Sequence, residues 1–196
     1  MVTRVSKDMR LVVLPADLVR RLRAKAIRRG ASLSGFAAEA LEEAVKVEDM
    51  GASVNEAVEE YYIQDVLRAS GAIQIPRSNF NALISGLHSG HREELLGDWK
   101  RAGRWYGEYV HARLGEGALG FLEKALLLSW NLDEVFVESD GLLVRLRLTS
   151  FVMSLELTEL LVSYITGMMA SLGYASVEKD YTRGLATLVY RRVPGR

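Results

Sequence analysis

His88 and His91 stand in a His-x-x-His spacing that one helical turn or a loop can bring onto a metal ion, with His111 as the third histidine of the chain. If residues 92–114 form one helix, the twenty residues from His91 to His111 span about 30 Å at about 1.5 Å per residue, so one chain cannot join them at one ion. A dimer could join them, or a kink near Gly103 or Gly107. The chain has no cysteine to complete a site, so no metal is expected, and His88 and His91 stay as candidate ligands only. Glu93, Glu94 and Asp98 read as carboxylates on a helix surface with no neighbour suited to acid–base work. No nucleophile elbow, phosphate loop, dinucleotide fingerprint or paired metalloprotease histidines occur. The reading is therefore of a protein that is not an enzyme, with no catalytic residue and no cofactor.

The charge pattern points elsewhere. Net charge over the 196 residues is zero, yet residues 1–30 hold nine basic side chains against Asp8 and Asp17, and residues 31–70 hold nine acidic ones against Lys46 and Arg68. A basic N-terminal face suits phosphate contact; arginines paired with the following acidic helix are the alternative. The 49% hydrophobic content supports a real core. The uncharged run Leu160–Val177, with Glu156 and Glu159 just upstream, reads as one side of a buried helix and not a membrane span, and no signal peptide is visible. A cytoplasmic location with no membrane partner is expected. Scarce Asn and Gln and absent Cys lean towards a thermophilic source.

The elements that must position these groups follow from punctuation and period. Met9–Leu14 reads as a short strand stopped by Pro15; a basic helix from about Ala16 carries Arg20, Arg21, Arg23, Lys25, Arg28 and Arg29 and ends at Gly30. Ser32 or Ser34 caps a second helix with the apolar stripe Leu33, Phe36, Ala37, Ala40, Leu41 and Ala44. About 40 residues cannot bury this much alone, which implies a homodimer. A capping box, Ser53 with Glu56, starts a helix running to Ala69, and the turn residues of Gly71–Ser78 predict a break. A short helix near 79–87, a Gly/His loop, a long helix over about 92–114 and a further apolar helix over 116–129 come next. The period then changes to two: hairpins are expected around Asp140-Gly141 and Arg183-Gly184, flanking a helix over 155–172. Trp99, Trp105, Tyr106 and Tyr109 partly share a face of the long helix, as core, dimer interface or a ligand wall.

Residues 9–46 resemble the ribbon-helix-helix transcription regulators, through the strand, Leu14-Pro15, the basic helix, the Gly30-Ala31-Ser32-Leu33 turn and the amphipathic helix. The resemblance implies two strands paired across a dimer in the major groove of double-stranded DNA, and backbone amides near Ser32, Leu33 and Ser34 gripping phosphate. Arg23 and its basic neighbours would add nonspecific affinity. With Val12 and Leu14 inward, the family spacing presents Met9, Leu11 and Val13 to the bases; a register shifted by one residue presents Arg10 instead. A ribbon kept for dimerisation alone is the third alternative.

From about His91 onward the order of elements, the helix containing Ser163–Tyr174 and the closing hairpin with Gly184 and Tyr190 resemble vinyl-reductase-type small-molecule-binding domains. That resemblance implies a cavity between helices and sheet for an apolar small molecule, lined by Phe121, Trp130, Phe151, Met153, Met168 and Met169, with core packing as the plainer reading of the methionines.

The expectation is thus an α+β chain: a ribbon-helix-helix DNA-binding and dimerisation module over residues 1–50, a connecting helix and linker over 51–78, and a mostly helical sensing or dimerising domain with two β-hairpins over 79–196. Its expected role is transcription regulation. A ligand-carrying or scaffold dimer that does not bind DNA, and a metal-responsive regulator using His88 and His91, are the alternatives.

Overall fold

The computed structural model describes residues 11–69 and 71–194. It is a mixed α+β chain, mostly helical, with one four-stranded antiparallel sheet. The chain divides into two compact units, one running to Glu60 and the other from Tyr61.

In the first unit Pro15, with φ fixed near the helical value, starts α1 (Ala16–Arg28). Gly30 ends it at φ +68°, the left-handed conformation that glycine adopts without a Cβ penalty. The Ala31 amide returns to the Ala26 carbonyl at 3.0 Å, closing the helix end. Helix α2 (Leu33–Asp49) begins at Ser32, whose hydroxyl accepts from the Gly35 amide at 3.1 Å. Helix α3 (Val54–Ala69) opens with the expected capping box: the Glu56 amide donates to the Ser53 hydroxyl while the Ser53 amide donates to the Glu56 carboxylate. Among the described residues up to Glu60, Ala26 alone is buried.

Residues 11–14 correct one expectation. They belong to no strand in the single chain and are exposed, Leu11 at 94% and Val13 at 89%. A ribbon of the expected kind takes its hydrogen bonds from a second chain, so one chain has nothing to pair them with. Met9 and Arg10 lie outside the described residues.

The second unit is built on α4 (Arg77–Leu114), α5 (Ala118–Ser129), β1 (Glu134–Ser139), β2 (Leu143–Thr149), α6 (Leu155–Ser171), β3 (Tyr174–Thr182) and β4 (Leu185–Arg192). The expected Gly/His loop is instead a kink inside α4, at His91, with φ −131° and ψ 25°. Gly103 and Gly107 do not bend the helix; they let it approach α6. A Cβ on Gly103 would sit 1.9 Å from the Tyr164 carbonyl oxygen, and one on Gly167 would sit 1.9 Å from that of Lys100. The two helices run side by side in the same direction, because Arg92 meets Glu159, Leu96 meets Ser163 and Lys100 meets Gly167 at successive turns.

Sheet order is β1-β2-β4-β3. Asp140 turns the first hairpin by accepting the Leu142 and Leu143 amides, and Gly184 at φ +70° turns the second. Val144, Leu146 and Leu148 on β2 stand opposite Tyr190, Leu188 and Ala186 on β4, all six buried on the face turned to the core. Helix α6 supplies the other side with Leu161, Ile165, Met168 and Met169. The Tyr190 hydroxyl, taken out of water, meets the Thr166 hydroxyl at 3.2 Å.

Candidate functional site

Each unit offers one candidate surface. In the first, Arg20, Arg21, Arg23, Lys25, Arg28 and Arg29 are all exposed on or just beyond α1. Pairing with the acidic helix, the alternative raised by the sequence, is realised once: Arg29 lies 3.8 Å from Glu39, with its guanidinium 5.3 Å above the Phe36 ring. Arg21 pairs within α1 with Asp17 at 3.9 Å. Arg20, Arg23, Lys25 and Arg28 form no ion pair among the described residues, so their charge is open to an external anion. Close by in sequence, Ser32 satisfies the Gly35 amide and leaves the first-turn amides of Leu33 and Ser34 without intrahelical acceptors, as at any helix start. Leu11 and Val13, just before α1, are exposed, while Met9 and Arg10 lie outside the described residues.

In the second unit the six residues expected to line one cavity are dispersed. Met168 and Met169 are core, packed between α6 and the sheet. Phe151 stands in the β2–α6 connection, 79% exposed, its amide held by the Asp133 carboxylate. Phe121 packs edge-on against Tyr62, ring centres 6.3 Å apart. Trp130 and Met153 do come together, in a cavity of about 330 Å³ with Ile75, Phe80, Arg77, Asn131 and Leu157. A second cavity of about 560 Å³ adjoins it through Ile75, Ser129 and Asn131 and is walled by Gln64, Leu67, Arg68 and Gln74. The two make one cleft, apolar and aromatic at one end and amide- and arginine-lined at the other.

Asn131 divides the cleft. It takes φ +49°, the only non-glycine at positive φ among the described residues, and its carbonyl accepts from the Arg77 guanidinium at 2.8 Å. Behind Trp130, the Tyr164 ring lies tilted with its centre 5.6 Å away and Tyr106 follows at 6.0 Å, an aromatic chain leading to the α4–α6 contact. Burial pushes the Tyr106 hydroxyl up to about 12 and raises that of Tyr164; the Tyr106 hydroxyl has no hydrogen-bond partner among the described residues. Gln64, Arg68, Arg77 and Asn131 were not singled out from the sequence. Their one signal is the Gly71–Ser78 break, which reads as a linker but supplies a cleft wall.

The histidines do not converge as ligands. His88 Nε2 lies 3.1 Å from Glu159, which also takes a two-pronged bond from Arg92 at 2.8 and 3.1 Å; His91 Nδ1 faces Glu94 at 3.3 Å. No group of three or more His, Cys, Asp or Glu able to hold a metal occurs among the described residues. The Arg92 bonds hold the Glu159 carboxyl below the usual range against the opposing effect of burial. His88 and Arg92 flank the α4 kink and fasten it to α6.

No family model and no curated protein matches this sequence. Solved structures overlap part of the fold. One comes from work on modulating heme redox potential through protein-induced porphyrin distortion, at 11% identity over 66% of this chain and 86% of that one, TM-score 0.37. A Cs H-NOX mutant carrying 4-cyano-L-phenylalanine gives 11% identity over 66% and 83%, TM-score 0.39. A structure probing heme distortion in the H-NOX family gives 12% over 76% and 88%, TM-score 0.38. Overlap at these scores carries no argument about what this chain binds. No helix among the described residues is long and apolar enough to cross a membrane.

Proposed function

We propose that the chain is a homodimeric DNA-binding regulator of transcription. In this reading residues 9–14 pair across the dimer as a two-stranded ribbon, α1 and the start of α2 hold the DNA backbone, and the C-terminal unit binds a small effector in the Trp130 cleft. The observation that supports it best is the unspent apolar surface of the first unit: α2 buries none of its 17 residues, and Leu11 and Val13 are open beside a helix with unpaired cations. A surface of that kind wants a second copy. Phosphate contact follows from the four unpaired cations of α1 and from the free amides at the start of α2. Effector binding would act by favouring one placement of the two ribbons over another, a coupling between the cleft and DNA.

The experiment is a titration with the duplex from the gene's own upstream region and a scrambled duplex, at low and near-physiological salt. Preference for the native duplex that survives salt supports a specific regulator, with Arg10 or apolar contacts to thymine reading the groove. Equal binding that collapses with salt leaves phosphate attraction alone. Absence of binding at both salts overturns the reading and favours the ligand-carrying dimer, for which the Trp130 cleft is the supporting observation.

A further inference from the structure

The walls of the Trp130 cleft are of two kinds. The cavity of about 330 Å³ is bounded by Phe80, Trp130, Met153 and Leu157, with Ile75 where it meets its neighbour. Met153 and Leu157 are buried, so this wall is part of the core of the second unit. Both rings pack against a second ring: Trp130 against Tyr164, centres 5.6 Å apart, and Phe80 against Trp99, centres 6.3 Å apart. A wall fixed in this way exists before a ligand arrives, and little ordering is left to oppose binding.

The charged groups of the cleft are of one sign. Arg77 lines the apolar cavity and Arg68 the adjoining one, and no Asp or Glu among the described residues lines either. Neither arginine forms an ion pair among the described residues. Arg77 is half-buried, and its guanidinium is placed at the cleft by the 2.8 Å bond from Nη2 to the carbonyl of Asn131, which belongs to both walls. That bond uses one of the five N–H donors of a guanidinium, and those left can take both oxygens of a single planar group. A cation that is half out of water and has no counter-charge favours an anion beside it. The side-chain amides of Gln64, Gln74 and Asn131 offer N–H donors to the same anion.

We propose that the cleft takes a small apolar carboxylic acid in its ionised form, with the ring or chain against Phe80, Trp130, Met153 and Leu157 and the carboxylate on Arg77. Arg68 adds charge from the adjoining cavity. The proposal rests on the reading that this cleft is the effector site and names the class of effector. A carboxylate meets the guanidinium fork with two parallel bonds. An amine would face two like charges, and a neutral amide would leave the charge of Arg77 unanswered. A strongly hydrated polyanion would lose water against the aromatic wall with nothing there to replace it.

The test is isothermal titration of the full chain, without DNA, with octanoate and 3-phenylpropionate, each beside its uncharged amide. The expected result is saturable binding of one acid per chain, with the acid preferred over its amide by roughly tenfold or more. Arg77→Gln should bring the acid down to the level of the amide and leave the amide unchanged, while Arg77→Lys, which keeps the charge but not the fork, should retain part of the preference. Ile75→Trp, at an exposed position shared by the two cavities, should fill the cleft and abolish binding of acid and amide alike without moving the urea midpoint, and so tests the site should Arg77→Gln fail to fold. Tighter binding of 3-phenylpropionate than of octanoate assigns a ring to the aromatic end, and the reverse assigns a chain. Equal binding of acid and amide keeps the cleft as a ligand site but overturns the carboxylate. Acid binding undiminished in Ile75→Trp, a preference undiminished in Arg77→Gln, or no binding of any of the four compounds also overturns the proposal, and the DNA titration then decides the regulator separately. Acid binding as expected with no DNA affinity at either salt upholds the carboxylate and removes the regulator.

Discussion

Helices α2 and α6 are each 17 residues long and each begins at a serine whose hydroxyl caps the first turn. Helix α2 buries no residue, whereas α6 buries ten, among them Leu160, Ile165 and Met169. Both carry enough apolar side chains to demand cover. The second unit covers its own, with a sheet on one side and the glycine-lined turns of α4 on another; in the first, the described residues up to Glu60 bury only Ala26. An apolar stripe therefore states that a partner is needed without saying whether it lies in the same chain.

That contrast can be broken by mutation. The largest effect is expected at Gly167→Ala, where the new Cβ meets backbone on the neighbouring helix and neither side can yield; a urea melt should lose about 3 kcal/mol or more. Leu146→Ala, which empties a fully buried position on β2, should cost about 2–5 kcal/mol by the same measurement, independent of protein concentration. Leu41→Asp with Val45→Asp, on the open face of α2, should leave the unfolding midpoint of the second unit unchanged but shift sedimentation from dimer to monomer at micromolar concentration. A concentration-independent loss of stability there would mean that α2 is covered within its own chain.

Smaller effects sharpen the picture. Glu159 has its carboxyl held below the ordinary 4.5 chiefly by Arg92, so its contribution is present above that pH and is lost as pH falls through the lowered folded value. Glu159→Gln should cost about 1 kcal/mol at pH 7, kept modest because Arg92 is partly in solvent, and urea midpoints from pH 7 to 3 should converge for parent and variant. Arg23→Ala should weaken DNA binding about equally for all sequences and reduce the salt slope by about 1, read from titrations at several salt concentrations.

The local signals were legible. The Ser53–Glu56 box, the stop at Gly30 and the turns at Asp140-Gly141 and Arg183-Gly184 each depend on a few adjacent residues, and each stands where the residues put it. The alternation along β2 likewise identified Val144, Leu146 and Leu148 as one face, and the order of helices and hairpins from α4 to β4 could be read from period alone. The candidate cleft was less legible. Trp130 and Met153 were named, but Phe151 and Phe121 are apolar residues that found other surroundings, and the methionines of α6 fill the core.

Glycines give the clearest case of information that was present but ambiguous. In a helix, Gly103 and Gly107 read equally as weak points or as places of close approach, because the missing side chain permits both. The bend went to His91, and the two glycines went to the contact with α6. A helix on its own cannot select between these outcomes; the neighbour that presses Tyr164 and Met168 against it does.

Composition, period and turn residues thus settle which segments coil, which extend and where they stop, since these are contests among atoms a few residues apart. The pairing of α4 with α6 and the meeting of Trp130 with Arg77 in one cavity depend on contacts between segments up to about 70 residues apart. Which of the many compatible pairings forms is decided when the whole apolar surface is buried at once, and no short stretch of chain holds that balance.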